Sequence, residues 1–171
     1  MLELYFDFIS PYAYLAWQNP RSGPRALAVR HGVELVIRPV LFAALLEHGG
    51  QLGPAEIPAK RAFLVKDVLR QAALEGIPLT YPPIHPFNPL TLLRLALVEV
   101  SGAQQVAAID ALYALVWGGV FGVPTVIARG ELFWGSDRLA DVDRHLAGHD
   151  PVDQALAAAI IARAPGPARR R

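Results

Sequence analysis

Apolar and aromatic residues hold six of the eight positions 2–9, Leu-Glu-Leu-Tyr-Phe-Asp-Phe-Ile, and a short run of this kind reads as a buried strand. Ser10-Pro11 follows at once. Serine is a preferred N-cap and proline is preorganised for the first helical position, so the pattern predicts a sharp turn and a helix over residues 12–17. Two prolines, Pro20 and Pro24, interrupt it before helical spacing resumes over residues 25–30, with Gly32 as a C-terminal stop. Residues 33–36 or a little beyond are β-rich and Pro39 ends them, which gives β-α-β with a right-handed crossover and parallel strands.

Between residues 41 and 116 the period changes to helical, with proline-rich connections. Residues 42–47 form a short helix and residues 49–58 a loop. Residues 60–75 place Phe63, Leu64, Val68 and Leu69 at amphipathic spacing. Gly76-Ile77-Pro78 breaks that helix, and the four prolines in residues 81–89 exclude regular helix or central strand. Helices over residues 90–100 and 106–117 complete the series, the last ending at Gly118-Gly119. Residues 126–127 and 131–134 around a turn at 128–130 read as a hairpin. Gly135-Ser136-Asp137 then caps a helix over about 138–146, and a last helix runs from Asp150-Pro151 to about residue 163. The proline-bearing basic tail beyond it is expected to be disordered.

Composition narrows the chemistry more than the fold. The 171 residues suit one domain with an insertion. No apolar run approaches the ~20 residues of a spanning helix, and no basic and apolar leader precedes the first strand, so a cytoplasmic protein off the membrane is expected. With no cysteine, the chain itself forms no disulfide, thiolate metal site or dithiol redox centre. A net charge of +1, with basic residues scattered except at residues 169–171, provides no basic face for nucleic acid. The histidines at 31, 48, 145 and 149 have no metal spacing. Arg38 and Asp7 are expected to pair structurally beside the sheet ends. The strand-to-helix junction at Ser10 is the place for chemistry, because free N–H groups of a first helical turn and the helix dipole favour an anion there.

Six segments, in order, resemble the 2-hydroxychromene-2-carboxylate isomerase family, kin of kappa-class glutathione transferases and of DsbA-like oxidoreductases. They are Phe6-Asp7-Phe8-Ile9-Ser10-Pro11-Tyr12-Ala13-Tyr14-Leu15; Pro58-Ala59-Lys60 through Asp67 and Arg70; Gly76-Ile77-Pro78-Leu79; Pro86-Phe87-Asn88; Phe121-Gly-Val-Pro-Thr125; and Leu132-Phe133-Trp134-Gly135-Ser136-Asp137-Arg138-Leu139. The resemblance implies an α/β fold: a thioredoxin-like domain of residues 1–40 and 120–171, β-α-β then β-β-α, interrupted by an α-helical insertion at 41–119. It also implies glutathione as cofactor, a small aromatic substrate and an isomerase acting by reversible thiolate addition to a conjugated double bond. A kappa-like transferase and a non-catalytic glutathione- or peptide-binding remnant stay open. One departure stands out. Trp117-Gly118-Gly119-Val120 joins directly what a longer helical series separates in the family, so the insertion is shortened. Faces along residues 90–97 and 109–116 are expected to lack cover, which points to a homodimer.

By the same resemblance Ser10 is the catalytic residue, standing where a redox relative carries its attacking cysteine and donating to a bound thiolate; the alternative is a plain N-cap. Val123 and Pro124 would pair with the cysteinyl backbone of glutathione through a cis proline, or form an ordinary turn. Ser136 and Asp137 would meet the γ-glutamyl carboxylate and ammonium, or only cap a helix. Lys60 would meet a carboxylate, or lie solvated in a first turn. Tyr12, His85 and Asn88 would line the substrate side, although a lone histidine is more often structural. Most of the other aromatics, spaced at core intervals, are read as core, with Tyr12 or Tyr14 at the pocket edge.

Overall fold

The structure is a computed structural model that describes residues 1–120 and 125–162. It divides into two compact units, Met1–Val120 and Phe121–Arg171, and each is described by itself. Val123, Pro124 and the basic tail lie outside the described residues.

In the first unit β1 (Leu2–Phe6) runs parallel to β2 (Leu35–Pro39), with Leu4 opposite Ile37. The crossover between them holds α1 (Pro11–Gln18) and α2 (Pro24–His31), the latter closed by Gly32 in the left-handed conformation at φ 60°. The β-α-β unit is as expected, but β1 stops three residues short of Ile9. Asp7 ends it by turning its carboxylate back to accept from the Ile9 N–H (3.1 Å) and from the Phe42 N–H (2.8 Å), a local bond that competes with the ladder. Arg38 does not pair with Asp7. It bonds Glu3 across the strand pair at 2.7 Å.

The helical series follows as α3 (Phe42–His48), α4 (Pro58–Glu75), α5 (Leu90–Leu95), α6 (Val98–Ser101) and α7 (Gln105–Trp117). In α4 the buried stripe is Leu64, Val68 and Ala72, at steps of four. Phe63 and Leu69, expected on that face, are 63% and 48% exposed. The single helix expected over residues 90–100 is two. Its break falls at Ala96, a fully buried residue whose carbonyl accepts from the Gln105 side-chain amide at 2.9 Å, and Leu97 is extended. No glycine or proline marks this break, because a side chain 9 residues on takes the carbonyl. Of the faces expected to lack cover, Leu93, Ile109 and Tyr113 are buried, whereas Leu95, Leu97 and Leu115 are exposed.

The core of this unit is an aromatic cluster of Phe6, Phe8, Tyr14, Trp17, Tyr113 and Trp117. Phe8 and Tyr113 have ring centroids 4.8 Å apart, and Tyr14 stacks on Trp117 at 6.1 Å. Such pairs add about 0.5–1.5 kcal/mol each beyond the apolar area they bury. The polar handles are also used. The Trp17 indole N–H donates to Asp110 at 2.7 Å, and Arg25 bonds the same carboxylate while its guanidinium lies 4.4 Å from the Trp17 ring.

In the second unit β3 (Thr125–Ala128) and β4 (Glu131–Trp134) form an antiparallel hairpin. The two turn residues Arg129 and Gly130 both have positive φ, 49° and 87°, as the right-handed twist of a tight hairpin requires. Ser136 and Asp137 lie in a single 3₁₀ turn, Ser136–Arg138, ahead of α8 (Leu139–Leu146), whose N-cap position is Arg138 with no side-chain cap bond. They therefore do not cap that helix. Asp137 instead lies 3.4 Å from the Arg138 guanidinium. The last helix, α9 (Gln154–Ile161), starts later than expected: Asp153, not Asp150, accepts from the Leu156 N–H, while Asp150 meets His145 at 2.8 Å. Among the described residues no helix is long and apolar enough to cross a membrane, and no group of three or more metal-ligating side chains occurs.

Candidate active site

A cavity of about 1060 Å³ opens in the first unit where β1 hands over to α1. Most of its wall is apolar, from Leu41, Phe42 and Leu46 on α3 and its N-cap, Phe63 and Leu64 on α4, and Phe87 and Leu90 around the start of α5. Its size is at the upper end of the roughly 300–1,000 Å³ typical of small-molecule sites. Ser10, Tyr12, Lys60, His85 and Asn88, from three separate stretches of sequence, all line it. Ser136 and Asp137 belong to the second unit, and Val123 and Pro124 fall outside the described residues.

Ser10 is the N-cap of α1. Its backbone is extended and its Oγ accepts from the Ala13 N–H at 3.2 Å. A hydroxyl that accepts one bond still has its own O–H to donate. The next residues leave a further donor: Pro11 has no N–H, and among the described residues no acceptor takes that of Tyr12. One hydroxyl and one amide thus stand at the positive end of an eight-residue helix. The capping role and a ligand role are compatible, since they use different atoms.

Lys60 is exposed in the first turn of α4 and forms no ion pair among the described residues. It is the cationic group on a cavity whose carboxylates, Asp7 and Glu56, are both held by backbone amides. Tyr12 spans from α1 to α4 by donating to Asp67 at 2.8 Å. Partial burial, and then the Asp67 carboxylate, push its phenol up to about 12, so it stays protonated at neutral pH. Tyr14, the other tyrosine considered for the pocket edge, is core: it is buried and donates to the Pro78 carbonyl. Asn88, exposed and two residues ahead of α5, accepts from the Leu90 N–H at 3.0 Å through its side-chain oxygen.

His85 lines the cavity but is buried, and both ring nitrogens are occupied: Nε2 lies 2.8 Å from the Ile9 carbonyl and Nδ1 3.3 Å from the Tyr81 hydroxyl. Asp7 was not expected here. Burial raises its carboxyl above the ordinary aspartate range, against the lowering effect of the backbone N–H groups of Phe42, Ile9 and Phe8. Its only sequence signal is an acid at the end of an apolar strand. Glu56, three residues after Gly53, accepts from that residue's N–H at 2.7 Å and ties a turn within the stretch 49–58 that is expected as loop.

A family model described as a DSBA-like thioredoxin domain matches residues 1–120. The chain is 25% identical to 2-hydroxychromene-2-carboxylate isomerase of Pseudomonas putida, over 81% of this chain and 90% of that protein. It is also 25% identical to the enzyme of the same name from Sphingobium xenophagum, over 85% and 97%. To glutathione S-transferase kappa 1 of Caenorhabditis elegans it is 32% identical over 83 residues, 48% of this chain and 35% of that protein. A solved structure of selenomethionine 2-hydroxychromene-2-carboxylate isomerase superposes with a TM-score of 0.57 at 23% identity, covering 95% of this chain and all of the other, a likeness in fold. The P. putida alignment runs over 189 positions, more than the 171 residues here, so that relative carries residues this chain lacks. The fold is α/β and thioredoxin-like.

Proposed function

Because the chain belongs to the DSBA-like thioredoxin domain family, we propose that it is a glutathione-dependent isomerase interconverting 2-hydroxychromene-2-carboxylate and trans-o-hydroxybenzylidenepyruvate-type substrates in aromatic catabolism. The observation that carries the reading is Ser10: a hydroxyl with a free proton, at the start of α1, on the wall of a largely apolar cavity that also holds a lysine. A chain without cysteine needs a thiol from outside for chemistry at this position. The residues present fit one. Ser10 Oγ–H and the Tyr12 N–H would hold a thiolate, and Lys60 a carboxylate.

When bound, glutathione supplies a thiolate that adds reversibly to a conjugated carbon–carbon double bond and lets it rotate. The work of this chain is electrostatic. Donation from Ser10 and the dipole of α1 favour the ionised form of a sulfur at their end. The apolar side chains of Phe42, Phe63 and Phe87 offer contact to an aromatic ring, and a ring seated on them would displace water and strengthen both effects. Lys60 offers an anionic substrate or cofactor group an unshared positive charge.

The kappa transferase of C. elegans, at 32% identity over its matching part, favours a second reading in which the thiolate remains on an electrophile. A titration with glutathione followed by incubation with the chromene substrate separates them. Interconversion with all glutathione recovered is the expected result. A stable conjugate means transferase, and binding without turnover means a non-catalytic binding protein; either would refute the isomerase. The reading includes a cytoplasmic homodimer in which the exposed Leu95, Leu97 and Leu115 are covered, and sedimentation at micromolar concentration checks it.

A further inference from the structure

The peptide group that joins Ile9 to Ser10 is held at both polar ends. Its N–H, on Ser10, donates to the Asp7 carbonyl at 3.1 Å. Its C=O, on Ile9, lies 2.8 Å from His85 Nε2. A carbonyl oxygen only accepts, so Nε2 carries the hydrogen, and in the neutral ring Nδ1 is then the acceptor for the Tyr81 hydroxyl. The ring itself is fixed by edge contacts with Tyr81 at 5.2 Å and Trp117 at 5.7 Å. Neither nitrogen is left to exchange a proton with a ligand, although the residue borders the cavity.

We propose that His85 is the positioning residue for Ser10: by holding the Ile9 carbonyl it fixes the plane of the Ile9–Ser10 peptide, and so the direction in which the Ser10 hydroxyl and the first turn of α1 face the cavity. The physical basis is peptide planarity. Six atoms move together, so restraining C=O and N–H at once leaves the unit no rotation, whereas one restraint leaves a hinge. Trp117 adds a similar restraint one residue earlier, its indole N–H donating to the Phe8 carbonyl at 2.9 Å. What His85 contributes is therefore orientation of the N-cap, transmitted through the backbone.

The proposal deepens the glutathione reading and rests on it for its consequence at sulfur, but its structural part is testable on the protein alone. His85→Phe keeps a ring and removes the donor; His85→Gln returns an N–H at about the reach of Nε2. In the ligand-free protein, amide hydrogen exchange at Ser10 and Ala13 is expected to quicken about tenfold in His85→Phe, with Ile109 and Tyr113 unchanged, and to recover in His85→Gln. Equal quickening at all four amides, or none at Ser10 and Ala13, would overturn the proposal. With glutathione added, ultraviolet titration of the thiolate is expected to show a raised thiol pKa in His85→Phe and recovery in His85→Gln. An unchanged thiol pKa in His85→Phe would also overturn it. If the wild-type protein does not lower the thiol pKa at all, the glutathione reading fails, and the exchange data still decide the positioning role.

Discussion

Two neighbouring core tyrosines are expected to respond to the same substitution with opposite sign. Tyr113 and Tyr14 have ring centroids 5.5 Å apart and both are buried. Tyr14 donates its hydroxyl to the Pro78 carbonyl, whereas the Tyr113 hydroxyl has no hydrogen-bond partner among the described residues. Burial raises both phenols above the ordinary tyrosine value, so both are neutral at pH 7. Phenylalanine keeps the ring contacts in each case. At Tyr113 it removes a polar group whose desolvation is uncompensated, about 1–3 kcal/mol, and leaves a small void worth ~1 kcal/mol in the other direction, for a net gain of about 0–2 kcal/mol. At Tyr14 it strands a carbonyl as well as losing a bond, a loss of about 1–3 kcal/mol. Thermal unfolding at pH 7, followed by intrinsic fluorescence, reads both. For a chain of this length each 1 kcal/mol moves Tm by about 2–4 °C, so the two variants should differ by several degrees. If Tyr113→Phe loses 1 kcal/mol or more, its hydroxyl is partnered and the reasoning about an uncompensated group is refuted.

Ser10→Ala is expected to lower stability by about 1 kcal/mol, the cost of an N-cap, and to raise the pKa of bound glutathione; a thiolate absorbance titration identical to wild type would remove Ser10 from the chemistry. Lys60→Gln should weaken glutathione about two- to fivefold by calorimetry, in keeping with an exposed charge, and should not weaken a glycyl ester of glutathione; no loss for either would mean that the lysine is merely solvated, and equal loss for both that it does not meet the glycyl carboxylate. Asp7 gives a pH signature. Its raised folded-state pKa means that the native protein binds the proton more tightly, so its contribution is fully present below about 3.8, the ordinary value, and is lost as pH rises through the folded value. The stability difference between wild type and Asp7→Asn should therefore shift against wild type as pH rises across that window, and a difference that is flat with pH would show that burial does not perturb this carboxyl.

The β-α-β start, the turn at Ser10, the hairpin and most helix limits were legible because they rest on local signals: Ser-Pro, Gly32 and Gly76 as left-handed stops, and two-residue or 3.6-residue periods. What escaped was governed by distant partners. The end of β1 is set by Asp7 reaching Phe42, the break at Ala96 by Gln105, and the exposure of Phe63 by the cavity it faces. The same division holds at the site. Ser10, Tyr12, Lys60, His85 and Asn88 could be named from motifs, and the cavity collects them. That His85 faces a backbone carbonyl, and that Asp7 is a cavity wall and not the partner of Arg38, depends on how loops far apart in sequence close.

The bonds from His85 and Trp117 to the Ile9 and Phe8 carbonyls span 76 and 109 residues of chain. The strand and helix on either side of Ser10 belong to the first twenty residues, yet two of their anchors arrive only when loops of that size have closed. Loop closure is entropically costly, and long-range contacts of this kind form slowly. The corner at Ser10 is thus expected among the last parts of the first unit to acquire its geometry, and a nascent chain that has emerged as far as α4 already has the Ser-Pro motif but lacks the bonds that hold it. Competence for ligand should appear together with the burial of Trp117, near the end of folding, and not with the formation of α1.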